Sequence, residues 1–248
     1  MNYQEINAKT IDRWANDGWE WAKPIDHSQY VQASQGQWDV LLTPCKPVPK
    51  QWFGDLRGKK ILGLASAGGQ QMPIFAALGA ECTVIDISDV QLSREKEVQA
   101  REGYSIEILK GDITKPLPFN DASFDLVFNP VSLSYIRELD PVFKEVFRVL
   151  KPGGSYLLGT DNGINFIVDE DESSIIFGLP FDPIEDETQR QYLLEQDAGM
   201  QFSHTIGEQI QATLRCGFTL VDLYEDSNGN GHLHELNIPS YMSLYFTK

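Results

Sequence analysis

The stretch KKILGLASAGGQQMP, residues 59–73, joins a short apolar run to a turn of small residues and then to a proline. A short, nearly continuous apolar run is typical of a buried strand. Proline is tolerated in the first turn of a helix, where its missing N–H has no partner to lose. The stretch therefore predicts a strand, a tight turn and a helix. It contains neither G-x-G-x-x-G nor G-x-x-x-x-G-K-[ST], so the turn alone does not identify a ligand.

Strand and helix patterns alternate along the rest of the chain. Four further strands are predicted within ECTVIDIS, YSIEILKGD, FDLVFNP and SYLLGT, with amphipathic segments between them. Near the C-terminus a helix is followed by two strands, with the turn-like segment SNGNGHLHE between them. This order predicts a mostly parallel sheet covered by helices on both faces, with an antiparallel hairpin at one edge.

The chain of 248 residues fits one structural domain with two additions. Residues 1–56 contain a helical pattern over residues 3–22, all five tryptophans and a proline-rich connector, and they predict an N-terminal cap. We expect most of these tryptophans to pack internally, and one or two could line a substrate cavity. Residues 57–160 and 203–248 predict the core. Residues 161–202 are long, acidic and partly aromatic, and they predict a lid with some helix near residues 186–196.

Composition excludes several kinds of partner. The net charge is −16 and no Lys/Arg cluster is present, which disfavours nucleic acid and anionic membrane surfaces. No apolar run reaches the roughly 18 residues of a membrane helix, and the polar N-terminus does not resemble a signal peptide. The three cysteines lie far apart and the four histidines lack metal-ligand spacing. We therefore expect a cytoplasmic monomer or homodimer without a metal site or a disulfide framework.

Polar or small residues follow each of the first four predicted strands. In an open α/β sheet, ligands bind at the carboxyl ends of the strands. Residues 65–69 are small, so a ligand can approach backbone N–H groups at a helix N-terminus. Asp86, about 20 residues later, can accept both hydroxyls of a ribose. Asp112 can accept the exocyclic amine of an adenine, and Asn129 offers an amide. Together these residues predict a nucleoside-containing ligand.

The segments that carry these residues resemble the class I S-adenosylmethionine-dependent methyltransferases of the small-molecule type. The similar segments are KKILGLASAGGQQ, TVIDISDVQL, LKGDITKPLPFNDASFDLVFNPVSL and EVFRVLKPGGSYLLG. The sequence GGQQ at residues 68–71 resembles that of a bacterial subgroup of these enzymes. The resemblance covers residues 57–160 well and 203–248 less closely. It implies a three-layer α/β/α sandwich whose seven-stranded, mostly parallel sheet has the order 3-2-1-4-5-7-6, with strand 7 antiparallel.

The resemblance also implies roles for particular residues. S-adenosylmethionine would be the cofactor and S-adenosylhomocysteine the product of methyl transfer to a small molecule. Asp86 would bind the ribose, Ile87 would pack on the adenine, and Asp112 would bind the adenine amine. Ile113 would offer its backbone to the adenine, and Asn129 would lie beside the methionine moiety.

The glycine-rich turn departs from the family pattern. Gly63 stands where the family has an acid, and Ala65 and Ala67 replace the first two glycines, while Gly69 stays in register. The available polar substitutes are Ser66, Gln70 and Gln71, and we expect Ser66, with backbone N–H groups up to Gln70, to replace the acid. The complete set of predicted cofactor contacts is Ala65, Ser66, Gly68, Gly69, Gln70, Asp86, Ile87, Asp112, Ile113 and Asn129.

The catalytic residue stays open at this point. Methyl transfer from a sulfonium depends on position, and a base matters only where the acceptor must lose a proton. Tyr135, His204 and the acids of the insert are candidates for such a base. Two other functions also stay open. One is a non-catalytic S-adenosylmethionine or nucleotide-binding module. The other is an NAD-dependent oxidoreductase, which would leave Gly111-Asp112 and the reversed terminal strand unexplained.

Overall fold

The computed structural model describes residues 2–66 and 68–248. It contains one seven-stranded sheet with the order 3-2-1-4-5-7-6, and β7 runs antiparallel to both of its neighbours, so the predicted fold class is confirmed. The remaining neighbours pair in parallel. The strands are β1 Lys60–Leu64, β2 Glu81–Asp86, β3 Ile106–Lys110, β4 Phe124–Asn129, β5 Leu150–Asp161, β6 Thr219–Asp226 and β7 Tyr241–Thr247.

Eight α-helices accompany the sheet within the described residues. They are α1 Tyr3–Asn16, α2 His27–Ser34, α3 Gln71–Ala77, α4 Asp89–Glu102, α5 Asp140–Val149, α6 Glu187–Glu195, α7 Ile206–Arg215 and α8 Gly231–Glu235. Short 3-10 turns occupy Glu20–Ala22, Lys50–Trp52, Leu133–Tyr135 and Ile164–Phe166. α6 and α7 lie where the sequence predicts helices, and α7 begins with the expected capping box of Thr205 and Glu208.

Several local predictions were wrong. The segment predicted as a turn before β7 contains α8, and α2 has no counterpart among the predicted elements. The N-terminal helix ends at Asn16 instead of near residue 22, where a 3-10 turn follows. β5 begins at Leu150 because this residue pairs with Phe124 before an irregularity in the register. Gly153, with φ +76°, supplies the left-handed backbone conformation there.

Both faces of the sheet are buried. On β4, Leu126 and Phe128 belong to the apolar cluster beneath α3 and α4, whereas Val127 between them belongs to the cluster beneath α5 and α7. Successive side chains on a strand point to opposite faces, so this assignment places one helical layer on each side. The sheet is therefore covered on both faces and leaves its carboxyl edge, where the sequence predicts the ligand-binding residues, for a site.

The N-terminal segment packs directly on the sheet. Leu42 and Phe53 are buried in the cluster beneath α3 and α4. The carbonyl of Leu42 passes so close to Gly159 of β5 that a side chain at position 159 would collide with it. Trp52 is also buried, and its indole N–H donates to Asp222 on β6 at 2.9 Å. Residues between α2 and β1 are consequently part of the hydrophobic core.

A buried amide joins α1 to the segment before α7. Asn7 is 3% exposed, and its Nδ2 atom donates to the carbonyl of Met200 at 2.9 Å and to that of Tyr135 at 3.2 Å. Its Oδ1 atom accepts the N–H of Met200 at 2.7 Å. One side chain therefore connects three parts of the chain above the carboxyl ends of the strands.

No helix in residues 2–66 and 68–248 is long and apolar enough to cross a membrane.

The Asn7 amide should contribute measurably to stability. Asn7→Ala leaves the Met200 peptide group without its partners, so we expect the free energy of unfolding to fall by roughly 1–3 kcal/mol. Urea denaturation measures this change. Asn16→Ala, at the exposed end of the same helix, is the control and should stay within about 0.5 kcal/mol of the parent chain. Equal effects of the two substitutions would contradict the role assigned to Asn7.

Candidate active site

A cavity of about 420 Å³ lies at the carboxyl ends of β1 to β5, beneath α1 and the insert. Pockets of this size at the carboxyl edge of an open α/β sheet are typical ligand sites. Seven of the predicted contact residues line it, namely Ala65, Ser66, Gln70, Asp86, Ile87, Asp112 and Ile113. The structure therefore brings most of the predicted site together in one place.

Two carboxylates on this rim are held in position by their own turns. Oδ1 of Asp86, the last residue of β2, accepts the N–H of Ser88 at 2.9 Å. Oδ1 of Asp112, just after β3, accepts the N–H of Thr114 at 2.9 Å and its hydroxyl at 2.6 Å. Because these turns fix both side chains, the rim is preorganised for a ligand with hydroxyl or amine donors.

Asn129 lies behind the cavity wall instead of in it. It is fully buried, and its Nδ2 atom donates to the carbonyl of Leu64 and to Oγ of Ser132, each at 2.8 Å. Its Oδ1 atom accepts the hydroxyl of Tyr156 at 3.0 Å. The amide therefore fastens the end of β4 to the end of β1, and Ser132 rather than Asn129 lines the cavity.

Gly68 and Gly69 also lie outside the lining and pack against α4. A Cβ on Gly68 would lie 2.5 Å from Oε1 of Gln91, and one on Gly69 would lie 2.7 Å from a methyl group of Val98. Both glycines have positive φ values, which L side chains rarely adopt. The close approach of the loop to α4 therefore requires glycine at these positions. Ala67 lies outside the described residues.

Two polar atoms at the cavity have no hydrogen-bond partner within residues 2–66 and 68–248. They are Oγ of Ser66 and Oε1 of Gln91, and both residues are less than a tenth exposed. Buried polar atoms in folded proteins are nearly always paired. A ligand with polar groups would pair them here, so the residues present fit a cofactor that carries amine and hydroxyl donors.

The side chain of Gln70 forms hydrogen bonds with the N-terminal segment. Its Nε2 atom donates to the carbonyl of Lys23 at 3.0 Å and to that of Glu20 at 3.3 Å. The carbonyl of the preceding residue, Gly69, accepts the N–H of Ile25 at 2.9 Å. These bonds place the chain between α1 and α2 directly over the glycine-rich loop.

A third carboxylate, Asp161, lines the cavity at the end of β5. It is 3% exposed, its Oδ1 atom accepts the N–H of Gly163 at 2.9 Å, and burial raises its pKa to about 6. Tyr135 and Tyr241 line the same cavity. Burial and the charge of Asp161 both raise the pKa of Tyr241, to about 12, and burial with the neighbouring acidic groups raises that of Tyr135 as well. Of the candidate bases, Tyr135 and Asp161 therefore reach the cavity.

His204 does not line the cavity. Its Nε2 atom lies 2.7 Å from the carbonyl of Ile136, and burial lowers its pKa. Its Nε2–H donates to the backbone, and the ring lies outside the residues that line the cavity.

Aromatic side chains from both additions cover the cavity. Trp19 and Trp21 come from the N-terminal segment, and Phe166, Phe181 and Tyr192 come from the insert. The other tryptophans lie elsewhere, and Trp52 is in the core. Among the described residues there is no cluster of His, Cys, Asp and Glu side chains that could hold a metal ion.

Comparison with known proteins gives the family. A model of the methyltransferase domain matches residues 62–158. A Bacillus subtilis protein, uncharacterized methyltransferase YbaJ, is 35% identical over 230 residues, which cover 90% of both chains. The chain belongs to this methyltransferase family. A sterol 24-C-methyltransferase from Pneumocystis carinii is 31% identical, but over 42% of this chain and 28% of its own.

Solved structures share the fold. The S-adenosylmethionine-dependent methyltransferase from Mesorhizobium loti has a TM-score of 0.66 and 19% identity, covering 80% of this chain and 95% of its own. One from Methanosarcina mazei has a TM-score of 0.56 and 18% identity, covering 81% of this chain and 98% of its own. The methyltransferase fold therefore extends beyond the segment that the domain model matches.

A side chain at Gly63, where the family has an acid, would require the side chain of Met72 to move. A Cβ at this position would lie 2.8 Å from the sulfur of Met72, whose side chain fills that space. The neighbouring Ala65 has φ +47°, so an alanine here adopts the left-handed conformation that the family's glycine would provide. Ala65 therefore adopts a backbone conformation that favours glycine, at a position where the family has one.

A buried acid on α4 holds the loop instead. Glu95 is fully buried, and its Oε2 atom accepts the N–H of Gly69 at 3.0 Å while its Oε1 atom accepts the hydroxyl of Tyr104 at 2.8 Å. Burial raises its pKa to about 7 despite both hydrogen bonds. The sequence offered one sign of this role, because Glu95 falls between Leu92 and Val98 on the buried face of α4.

Glu95 should make stability depend on pH. Its pKa rises from 4.5 to about 7 on folding, so the folded state holds the proton more tightly than the unfolded state. The contribution of protonated Glu95 to the free energy of unfolding is complete below the unfolded pKa of 4.5 and is lost as the pH rises through about 7. The total loss is roughly 3 kcal/mol. Glu95→Gln cannot ionise, yet it can still accept the Gly69 N–H.

We therefore expect the free energy of unfolding of the parent chain to fall by roughly 3 kcal/mol relative to that of Glu95→Gln between pH 4.5 and 8. Chemical denaturation at several pH values measures the difference. Glu97→Gln, exposed on the same helix, is the control and should follow the parent chain. Parallel curves for Glu95→Gln and the parent would show that Glu95 ionises normally.

Proposed function

We propose that this methyltransferase transfers a methyl group from S-adenosylmethionine to a small-molecule acceptor by in-line displacement. The observation that carries the proposal is the convergence of Asp86, Asp112 and the unpaired hydroxyl of Ser66 on one covered cavity. A ribose, an adenine amine and an amino-acid group offer the donors that these three sites accept.

Each cavity residue then has a distinct role toward the cofactor. Asp86 accepts the ribose hydroxyls, Asp112 accepts the adenine amine, Ile87 packs on the adenine ring, and Ile113 offers its backbone to the adenine. Ser66 binds a polar group of the methionine moiety. Gly68 and Gly69 shape the loop, and Asn129 positions the strand ends, so these three support the site without forming its surface.

When bound, S-adenosylmethionine supplies an electrophilic methyl group whose bond to sulfur breaks with its electron pair staying on the sulfur. The chain itself must hold the acceptor in line with that bond and exclude water. We assign these tasks to residues 1–56 as a cap and to residues 161–202 as a lid. Both contribute aromatic side chains to the cavity, and Asn7 bonds the cap to the lid at Met200.

A small acceptor fits better than a macromolecule. The cavity is covered on two sides, and a net charge of −16 opposes the approach of nucleic acid. Membership of a methyltransferase family favours this function over an NAD-dependent oxidoreductase. A module that binds the cofactor without turnover is the alternative that an activity assay resolves.

Calorimetric titration tests the cofactor. We expect S-adenosylmethionine and S-adenosylhomocysteine to bind and NAD not to bind. Asp86→Ala should weaken S-adenosylmethionine binding by roughly 1–3 kcal/mol because a hydrogen-bonded charge is lost. Asp89→Ala, three residues away and outside the cavity lining, is the matched control. Tight NAD binding without S-adenosylmethionine binding would contradict the proposal.

Release of labelled methyl groups into a metabolite extract tests turnover. We expect labelled product that depends on active protein. Binding of S-adenosylmethionine without any labelled product from a broad extract would instead identify a non-catalytic module.

A further inference from the structure

The charges of the cavity are all of one sign. The described residues that line it include the carboxylates of Asp86, Asp112 and Asp161 but no Lys, Arg or His side chain. Asp86 and Asp112 lie on the cofactor side in the function proposed above. Asp161 has no role toward the cofactor in that proposal. It lies at the end of β5, which is separated from β1 by β4 in the sheet order.

Asp161 shares the cavity lining with two tyrosines. Tyr241 is its partner across the β5–β7 pairing, and Tyr135 comes from the 3-10 turn after β4. One bond holds the Asp161 backbone, because Nε2 of Gln209 donates to the Asp161 carbonyl at 2.9 Å. A second bond holds its side chain, because the Asp161 carboxylate accepts the Gly163 N–H. No lysine, arginine or histidine forms an ion pair with its carboxylate within the described chain.

Keeping a carboxylate buried without a cationic partner is unfavourable for folding. Burial raises the pKa of Asp161 to about 6, and the ionisable groups facing it are the phenols of Tyr135 and Tyr241, which are neutral at neutral pH. Perturbed acids in a cleft are typical of functional sites. A carboxylate with this pKa is ionised at neutral pH and can still accept a proton.

We propose that Asp161 binds the O–H or N–H group of the methyl acceptor and takes its proton, and that it restricts acceptors to uncharged or cationic compounds. This inference depends on the function proposed above. An acceptor with a carboxylate or a phosphate would meet Asp161 without any cation to offset the repulsion. The aromatic side chains of the cap and the lid suit an acceptor with an apolar or aromatic body.

The proton balance follows directly. As the lone pair of the acceptor oxygen or nitrogen forms the bond to the methyl carbon, the acceptor proton moves to the Asp161 carboxylate. The carbon–sulfur electron pair stays on sulfur, so no oxidant or reductant is needed. The protonated Asp161 then returns the proton to water when product leaves.

A fragment series tests the charge selectivity on the unmodified protein. Benzyl alcohol, benzylamine and benzoate share one ring and differ in charge. With S-adenosylhomocysteine present, ligand-observed NMR should give benzoate a dissociation constant at least about tenfold above those of the other two, a difference of about 1.4 kcal/mol. Asp161→Asn should reduce this difference, and Glu187→Gln, on the exposed start of α6, should preserve it. Benzoate binding as well as benzyl alcohol to the parent chain would overturn the proposal.

The pH profile of methyl release tests the proton step. In the metabolite-extract assay, Asp161→Asn should lower turnover about 100-fold or more, as expected for loss of a general base, while calorimetry shows unchanged S-adenosylmethionine affinity. Turnover of the parent chain should fall as the pH drops below about 6, where Asp161 becomes protonated, and residual turnover of Asp161→Asn should lose that dependence.

The outcomes separate this inference from the function on which it depends. Equal turnover and equal pH profiles for Asp161→Asn and the parent would overturn the role of Asp161 while the methyltransferase function stands. Failure of the parent chain to bind S-adenosylmethionine would overturn both. Asparagine can still accept the Gly163 N–H, and thermal melting verifies that the variant is folded.

Discussion

The N–H group of Gly69 donates to a carboxylate, Glu95, that is fully buried beneath the glycine-rich loop. The loop connects β1 to α3, so this bond fixes the course of the backbone along one side of the cavity. The opposite face of Gly69 receives the N-terminal segment, because its carbonyl accepts the Ile25 N–H. One residue thus lies between a buried acid below and the cap above.

Glu95 holds a loop whose sequence departs from the family pattern. The space beside Gly63 that a side chain would enter is filled by the side chain of Met72. Glu95 approaches from behind and also accepts the hydroxyl of Tyr104, which lowers the penalty of burial without removing it. The loop is therefore oriented by α4, and its front stays open for a ligand.

The parallel sheet and the rim carboxylates follow from the sequence because they depend on local patterns, whereas the strand order was implied by the resemblance to the methyltransferase family. Alternating strands and helices specify a parallel sheet, and Asp86 and Asp112 stand directly at strand ends. Asp161 obeys the same rule, but the sequence pattern predicts an irregular insert from residue 161 onward and so does not place this residue at the end of β5.

Other features were missed because they depend on contacts between distant residues. Glu95 belongs to a helix rich in charge, and Gly69, the residue it serves, lies 26 positions away. Asn129 occurs at a strand end like the rim acids, yet its amide forms hydrogen bonds with Leu64, Ser132 and Tyr156. Local sequence pattern predicts the position of a residue in a strand or helix, whereas packing against distant residues decides the hydrogen-bond partners of its polar atoms.

The bond between Asn7 and Met200 joins residues 193 positions apart. During synthesis on the ribosome, α1 emerges well before its partner in the segment that precedes α7. The sheet order adds to this delay, because β7 inserts between β5 and β6, follows both of them in sequence and supplies Tyr241 to the cavity. A nascent chain can therefore pair β1, β2 and β3 before the cavity wall that contains Tyr241 exists. The complete cavity is consequently a property that the chain acquires only after β7 has been made.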